Sequence, residues 1–477
     1  MPTCCVEAPS ETKLFPYQRE AVTKLLKLGG SGGIFMEMGT GKTRVALEVA
    51  SQLGCKRILV VTPLSVVSVW KREVASYWSD RPNLVLDCTA GSIPVRSALL
   101  RKNGQNLVVG ESEGSCVAIV GYESYWREPL RSAILSYAPD VVIFDEAHRL
   151  KSGRTRQSRF AHFLSTRVPF RLALTGTPMP NGPEDLFSLY KAIRPEVFGT
   201  RWQDFEWRYI NRGGYLGYQI VGYRNMEELE AKVAATSFRV TKAEALDLPE
   251  QVDVVVPVQL SDRRVYEALR RQAIAEVEGV LASGKPASGV ALAQTALVNI
   301  LRLQQVTSGF VRTTDGELVS VGTEKYETLK DLLEDMLPQG RVVVFCRFTY
   351  DVDQAVKAAG ADALVLDGRV PPAEREKAIA KFMETPHSVL VAQVAVGSLG
   401  IDLSCAHNAV FFSLDYSYAN YVQSRDRLHR LGQGSKVTYY HLVADHTIDE
   451  KVLRILQRKQ DISKQVLDAA RVRELFS

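Results

Sequence analysis

The chain has 477 residues, 46% of them hydrophobic and 24% charged, which is typical of a globular protein with about two to four domains. Because the net charge is only +5, any contact with a polyanion must come from a local basic surface. Seven cysteines without CxxC spacing, no secretory signal pattern and no apolar run long enough for a bilayer predict a cytoplasmic protein with free thiols and no membrane partner.

Short apolar runs rich in β-branched residues alternate with longer amphipathic segments in both halves of the chain. Such runs predict parallel strands that are buried on both faces and separated by helices. Because the pattern occurs twice, it predicts an α/β protein with two doubly wound parallel-sheet lobes. The predicted strands are 34–36, 58–62, 117–120, 141–146 and 171–177 in the first half, and 341–347, 363–368, 388–393, 409–414 and 437–444 in the second.

The composition changes between the two series of strands. We predict a first lobe over 1–245, with a small aromatic protrusion near 198–240. The tryptophans and tyrosines there fit either the core of that protrusion or a surface on which bases stack. The second lobe is predicted over 246–477, with a helical insertion near 262–310 and a C-terminal helix. Pro249 interrupts the pattern at the boundary.

The segment MEMGTGKT (36–43) follows a predicted strand and precedes a helical run. Gly39 and Gly41 permit a tight turn that directs backbone N–H groups at phosphate oxygens, and the helix N-terminus adds a favourable dipole. Lys42 supplies a positive charge for the β- and γ-phosphates, and Thr43 a hydroxyl for Mg²⁺. Alone, the segment also fits a chance glycine loop. The residues assigned to nucleotide binding are Met38, Gly39, Thr40, Gly41, Lys42, Thr43 and Arg44.

The sequence DEAH (145–148) ends a buried strand, which places two adjacent carboxylates at a strand tip. Such a pair is costly without a cation. We predict that Asp145 holds Mg²⁺ and that Glu146 orients and deprotonates an attacking water. The alternative is an acidic pair that caps a neighbouring helix, but a phosphate loop about a hundred residues upstream favours catalysis.

The run RLKSGRTRQSR (149–159) follows directly, with five basic residues and no acidic one. Such a run can track phosphates of a nucleic acid, and it lies beside the catalytic strand. Lys151, Arg154 and Arg156 are the predicted nucleic-acid contacts. A solvated basic loop is the alternative.

The segment QSRDRLHRLGQ (423–433) is predicted to be a helix, with Arg427 and Arg430 three residues apart on one face. Charge on a transferring phosphoryl group requires donors that are planar and always protonated, which favours arginine. A solvated basic helix face is the alternative. The position of the segment after a strand of the second lobe favours the catalytic role, so the sequence predicts one active site assembled from both lobes.

Together these segments resemble superfamily 2 helicases and translocases, and among them the Swi/Snf-like DNA translocases, including the annealing-helicase branch and compact phage-type relatives. The resemblance covers about residues 12–460 and implies that the two lobes are RecA-like. It also implies roles for residues that spacing alone does not assign. These are adenine contact for Gln18, DNA phosphate contact for Thr62 and Pro63, coupling of the ATP and DNA sites for Thr175, nucleotide binding for Gly400 and Asp402, and γ-phosphate contact for Gln423 with Arg427 and Arg430.

Two positions depart from the family pattern. Asp402 stands where the family usually has Asn, and YSYAN (416–420) stands where it usually has Trp-Asn-Pro. These departures bear on which branch of the family the chain is assigned to, and they leave the ATPase prediction unchanged.

The predicted function is that of a DNA-dependent ATPase, which uses ATP and Mg²⁺ to translocate on duplex or branched DNA without sequence preference, as a monomer. One alternative is a strand-separating helicase on DNA or RNA. Another is a nucleic-acid clamp with an inactive ATP site, which the intact Lys42, Asp145, Glu146, Arg427 and Arg430 argue against. The expected location is the cytoplasm, at the nucleoid, or a bacterial host cell if a phage encodes the chain.

Overall fold

A computed structural model of the chain describes residues 14–78, 83–106, 115–179, 182–213, 219–245, 248–282, 288–313, 315–394, 401–430 and 432–458. The chain divides into two compact units. The first contains the described residues up to 212 and those of 220–245, and the second contains Gly213, Gln219 and the described residues from 248 onwards. Each unit is built around its own large sheet.

The elements of the first unit alternate between strands and helices. Its strands are β1 Gly32–Met36, β2 Arg57–Thr62, β3 Asn83–Asp87, β4 Ser115–Gly121, β5 Val141–Asp145, β6 Phe170–Leu174, β7 Ile210–Gly213, β8 Gln219–Tyr223 and β9 Ser237–Val240. Its helices are α1 Pro16–Lys27, α2 Lys42–Gln52, α3 Val67–Tyr77, α4 Ile93–Asn106, α5 Leu130–Tyr137, α6 Arg156–Leu164, α7 Glu184–Ile193, α8 Pro195–Phe198, α9 Trp202–Tyr209, α10 Met226–Thr236 and α11 Lys242–Ala245.

Seven of these strands form a sheet in the order β3-β4-β2-β5-β6-β1-β9, and every pairing in it is parallel. The sheet is covered on both faces. Val60 packs with Val45 of α2 on one face, whereas its neighbour Val61 packs with Ala133 of α5 on the other. Successive side chains of a strand point to opposite faces of the sheet. Because both faces are covered, nearly every residue of such a strand must be apolar.

The predicted protrusion contains α9, the two-stranded sheet β7-β8 and α10. Its aromatic side chains pack on one another: the rings of Phe198 and Phe205 lie 5.3 Å apart, and those of Phe205 and Tyr209 lie 5.0 Å apart. Phe205 is almost fully buried, while Trp207 is 75% exposed. Most aromatic residues of α9 are therefore core residues, which pack in one cluster with apolar side chains of the first sheet.

The second unit has its own series of elements. Its strands are β10 Gln251–Val258, β11 Phe310–Arg312, β12 Leu318–Ser320, β13 Val342–Cys346, β14 Leu364–Leu366, β15 Val389–Gln393, β16 Asn408–Phe411 and β17 Val437–Ala444. Its helices are α12 Arg264–Ala282, α13 Ser288–Thr307, α14 Glu324–Met336, α15 Thr349–Ala359, α16 Pro372–Glu384, α17 Tyr418–Leu428 and α18 Ile448–Gln457.

Six of these strands form a second parallel sheet, in the order β10-β17-β16-β13-β15-β14. Val343 packs with Ile300 of α13 on one face, and Val344 packs with Val352 of α15 on the other. Two parallel sheets, each covered on both faces, confirm the predicted α/β fold class. Among the described helices, none combines the length and the apolar character needed to cross a membrane.

Candidate nucleotide site and nucleic-acid surface

The predicted phosphate loop connects β1 to α2. Gly39 and Gly41 have φ angles of 85° and 83°, a backbone conformation that residues with a Cβ rarely adopt. A Cβ at Gly41 would also lie 2.3 Å from the side-chain nitrogen of Gln18. Gly41 is the N-cap of α2, and Lys42 and Thr43 form the first turn of that helix. The free N–H groups of a helix start thus lie beside Lys42, which suits a phosphate group.

Gln18, the predicted adenine contact, is buried and tied to the phosphate loop. Its Nε2 donates to the Thr40 carbonyl at 2.9 Å, and its Oε1 accepts from the Phe15 N–H at 3.0 Å. The Tyr17 hydroxyl donates to the same Thr40 carbonyl at 3.1 Å. Arg44 lies over the Tyr77 ring, 5.5 Å from its centroid. These contacts position Gln18 and Arg44 around the loop, and base recognition stays a prediction.

Glu37, which the sequence did not single out, connects the loop to the end of the first unit. Its carbonyl accepts from the Lys42 ammonium at 3.2 Å and from the Thr40 hydroxyl at 2.7 Å. Its N–H donates to the Val240 carbonyl at 3.2 Å, and its carboxylate accepts from the Lys242 N–H at 2.9 Å. These contacts attach the phosphate loop to β9, which is an edge strand of the sheet, and to Lys242 just after it.

Asp145 lies at the carboxyl end of β5 and is buried. Its Oδ2 accepts from the Thr62 hydroxyl at 2.9 Å and from the Trp70 indole N–H at 2.8 Å, and its Oδ1 accepts from the Glu146 N–H at 3.0 Å. Burial and the neighbouring Glu146 carboxylate raise the pKa of Asp145. The hydrogen bonds from Trp70 and Thr62 and the positive charge of Lys42 lower it, but the net pKa is raised. Lys42 and Asp145 thus interact electrostatically, as groups of one site should.

Glu146 adopts a left-handed backbone conformation, with φ 49° and ψ 50°. Its Oε2 lies 3.2 Å from Nδ1 of His148, and that nitrogen lies 3.4 Å from the Thr175 hydroxyl oxygen. Strain at a non-glycine residue of this kind is concentrated at functional sites. A polar path therefore runs from the predicted general base through His148 to Thr175, just beyond β6.

The side chains predicted to couple to or contact DNA from this edge are not at the surface. Thr62 and Thr175 are fully buried, and Pro63 is buried as well. The Thr62 hydroxyl donates to Asp145. The Thr62 side chain therefore holds the predicted magnesium-binding carboxylate, and contact of Thr62 and Pro63 with DNA stays a prediction. Sequence resemblance located the segment but could not show which way the hydroxyl points.

The basic run after DEAH does lie at the surface. Lys151, Arg154 and Arg156 are all exposed, and α6 begins at Arg156, with the Thr155 side chain accepting from the Ser158 N–H as its N-cap. None of these three cations forms an ion pair within the described part of the chain. They are available to a polyanion, and the contact itself stays a prediction.

The second unit carries the predicted arginines. The helix α17 ends at Leu428, so the predicted helix over 423–433 is too long and Arg430 lies beyond it. Arg427 is buried, and its carbonyl accepts from the Leu403 N–H at 3.0 Å. Arg430 pairs with Asp402, Nε to Oδ2, at 3.4 Å.

Gln423 lies within α17 and is half-buried. Gly400 lies outside the described residues.

The residues of the first unit fit a magnesium ion. No group of three or more His, Cys, Asp or Glu side chains suited to a metal occurs among the described residues. However, Mg²⁺ beside a nucleotide takes one or two protein oxygens and completes its shell with phosphates and water. Asp145 is buried with its pKa raised partly by Glu146, an environment that a cation would relieve. Thr43 and Asp145 are the residues that would hold it.

A glycine loop before a helix and a carboxylate pair at a strand end, on one parallel sheet, define a P-loop nucleotide hydrolase. The SNF2-related domain model matches residues 17–308, and the helicase conserved C-terminal domain model matches residues 324–432. The chain belongs to the SNF2-related family, which confirms the predicted resemblance.

Individual relatives are similar along nearly the whole chain. The DNA annealing helicase and endonuclease ZRANB3 of Mus musculus is 27% identical over 96% of this chain and 41% of its own length. The SWI/SNF-related matrix-associated actin-dependent regulator of chromatin subfamily A member 1 of Homo sapiens is 27% identical over 98% of this chain and 45% of its own. The chain thus spans less than half the length of these curated relatives.

A solved structure, the Sulfolobus solfataricus SWI2/SNF2 ATPase core in complex with dsDNA, aligns with 96% of this chain and 93% of that chain, at 21% identity and a TM-score of 0.42.

Proposed function

We propose that this chain is an ATP-driven motor that translocates along duplex or branched DNA. The observation that carries the proposal is the arrangement in the first unit, where the phosphate loop, Asp145 and Glu146 occupy one edge of one sheet. Membership of the SNF2-related family supports it. Relatives named as a DNA annealing helicase and as the ISWI chromatin-remodeling complex ATPase ISW2 support DNA as the track.

Each residue has a distinct chemical role in this proposal. Lys42 and the N–H groups at the start of α2 bind the β- and γ-phosphates. Glu146 orients the attacking water and accepts its proton. Asp145, fixed by Thr62 and Trp70, and Thr43 hold the magnesium ion, which when bound neutralises charge on the phosphate oxygens.

We infer that the second unit completes the site. Arg427 and Arg430 supply the guanidinium groups that stabilise charge on the transferring phosphoryl group, which is worth roughly 10³–10⁵ in turnover for such arginines. Hydrolysis then requires closure of the two units, and repeated closure and release moves the protein along DNA. The protein acts as a monomer in the cytoplasm in this proposal.

The test is ATP turnover by the purified chain with duplex DNA, forked DNA, single-stranded DNA and RNA in parallel. We expect duplex or forked DNA to stimulate turnover most. Glu146→Gln is expected to lower the stimulated rate by roughly 10²–10⁴, the typical contribution of a general base. Glu230→Gln, an exposed carboxylate on α10, is the matched control and should retain the rate.

Two outcomes would contradict the proposal. Stimulation by RNA alone would indicate an RNA helicase and contradict a DNA translocase. If no nucleic acid raises the ATP turnover, or if turnover survives Glu146→Gln, the chain is not an ATP-driven motor of this kind. Displacement of a labelled strand, measured on the same substrates, separates a strand-separating helicase from a motor that tracks the duplex.

A further inference from the structure

Arginines and aromatic rings alternate on one surface of the first unit. Arg127 and Arg156 lie over the ring of Trp126, at 4.9 Å and 5.4 Å from its centroid. Arg131 lies over both Phe160 and Phe163, at 5.5 Å and 5.6 Å. We call this the arginine-aromatic surface; its remaining members are Arg159 and Arg167, the latter 5.1 Å from the Phe163 ring. A cavity of about 240 Å³ lies at its centre, lined by Trp126, Arg131, Arg156, Arg159, Phe160 and Phe163.

The charges of this surface are uncompensated. None of its five arginines forms an ion pair with a carboxylate in the part of the chain that the structure describes. Exposed arginines elsewhere do so: Arg208 pairs with Glu228 at 2.7 Å, and Arg369 with Asp353 at 2.7 Å. The nearby carboxylates are engaged, Glu123 with Arg149 and Glu128 with Ser132.

A cluster of like charges is unfavourable on its own, and a bound polyanion would offset it. The Nε of Arg131 is buried without a hydrogen-bond acceptor, so a donor inside the surface is unused. Guanidinium groups bind phosphates through two parallel hydrogen bonds, and aromatic rings beside arginines suit unpaired bases as well as phosphates. This combination favours nucleic acid, in which every nucleotide carries both a phosphate and a base, over an acidic polypeptide, whose carboxylate side chains carry no ring.

We propose that the arginine-aromatic surface is an anchoring site for the phosphodiester backbone of nucleic acid, which binds in every nucleotide state of the motor. The proposal rests on the proposed function for the identity of the polyanion. All its residues lie on α5, α6 and the loops next to them, and these helices cover the face of the first sheet opposite α2. None belongs to the phosphate loop, and the proposal is that DNA binds here both with and without ATP. An anchor of this kind retains DNA while the two units open.

The test measures the affinity of Arg127→Gln/Arg159→Gln for duplex DNA over a series of salt concentrations, without nucleotide and with a non-hydrolysable ATP analogue. Each lost phosphate contact reduces the magnitude of the negative slope of log K against log salt by about 0.9. The double variant should therefore show a slope that is smaller in magnitude by about 1.8 and an affinity that is lower by roughly tenfold. Lys27→Ala/Arg72→Ala removes the same charge from exposed positions of α1 and α3 and serves as control. Thermal unfolding checks that both variants are folded.

The expected result is the same loss with and without the ATP analogue. An affinity and slope equal to those of the control variant would overturn the anchoring site. A loss seen only with the analogue would overturn its independence of nucleotide. Binding of polyglutamate that the substitutions abolish, with DNA affinity unchanged, would assign the surface to an acidic protein instead. These binding results do not depend on DNA-stimulated ATP turnover, so failure of the motor and failure of the anchor are distinguishable.

Discussion

The two predicted halves of the active site are held in different ways. In the first unit, Asp145 accepts three hydrogen bonds, from Thr62, Trp70 and the Glu146 backbone, and is buried. In the second unit, Arg430 lies beyond the end of α17 and pairs with Asp402 across 3.4 Å, where the Asp402 side chain is 42% exposed. The first half-site is fixed by its sheet, whereas a long, partly exposed ion pair is a weak restraint. Under the proposed function, Arg430 is therefore the less restrained part of the site.

The largest expected effect comes from removing the Arg430 guanidinium. Arg430→Ala is expected to lower DNA-stimulated turnover by roughly 10³ or more, because charge on the phosphoryl group loses its guanidinium partner. Binding of ATP to the first half-site should change much less. ATP turnover is measured by stopped flow, and ATP affinity by equilibrium binding. Arg458→Ala, at an exposed arginine after α18, is the control. Equal losses in binding and turnover would mean that Arg430 holds the ground state only.

The next effect tests how firmly the first half-site is fixed. Trp70→Phe removes the indole N–H that stabilises the ionised form of Asp145. Because burial and Glu146 already raise the pKa of Asp145, loss of this donor raises it further and shifts the acid limb of the pH–rate profile to higher pH. We expect a roughly tenfold loss near neutral pH, from a hydrogen bond to a charged group, with partial recovery in alkali.

The measurement is kcat/KM for ATP from about pH 5 to about pH 9. Trp207→Phe makes the same change at a side chain that is 75% exposed and should leave the profile in place. A lower rate with an unmoved acid limb would indicate that Trp70 only packs α3 against its sheet.

The sequence predicted the strands with continuous apolar runs, and all of these occur in the structure. In the two large sheets it missed β3, β9 and β10, which lie on sheet edges, and it also missed the short strands of the two small sheets, β7, β8, β11 and β12. An edge strand needs no continuous apolar run: the exposed residues of β10 alternate with half-buried ones. The phosphate loop and DEAH were recognisable because their chemistry is local in sequence. Trp70 was not, because its indole reaches a carboxylate 75 residues away. Only the packing of α3 against the sheet brings the two together.

The smallest effect tests the restraint on Arg430. Asp402→Asn keeps the size of the side chain, and the hydrogen bond from the Ser404 N–H to Oδ1 can persist. The negative charge beside Arg430 is lost, so the arginine is released towards ATP more often. A long, partly exposed ion pair contributes little, so we expect DNA-free turnover to rise only about two- to fivefold. Asp335→Asn, an exposed carboxylate of α14, is the control. If DNA-free turnover falls instead, Asp402 orients Arg430 for catalysis, and the second half-site is as pre-organised as the first.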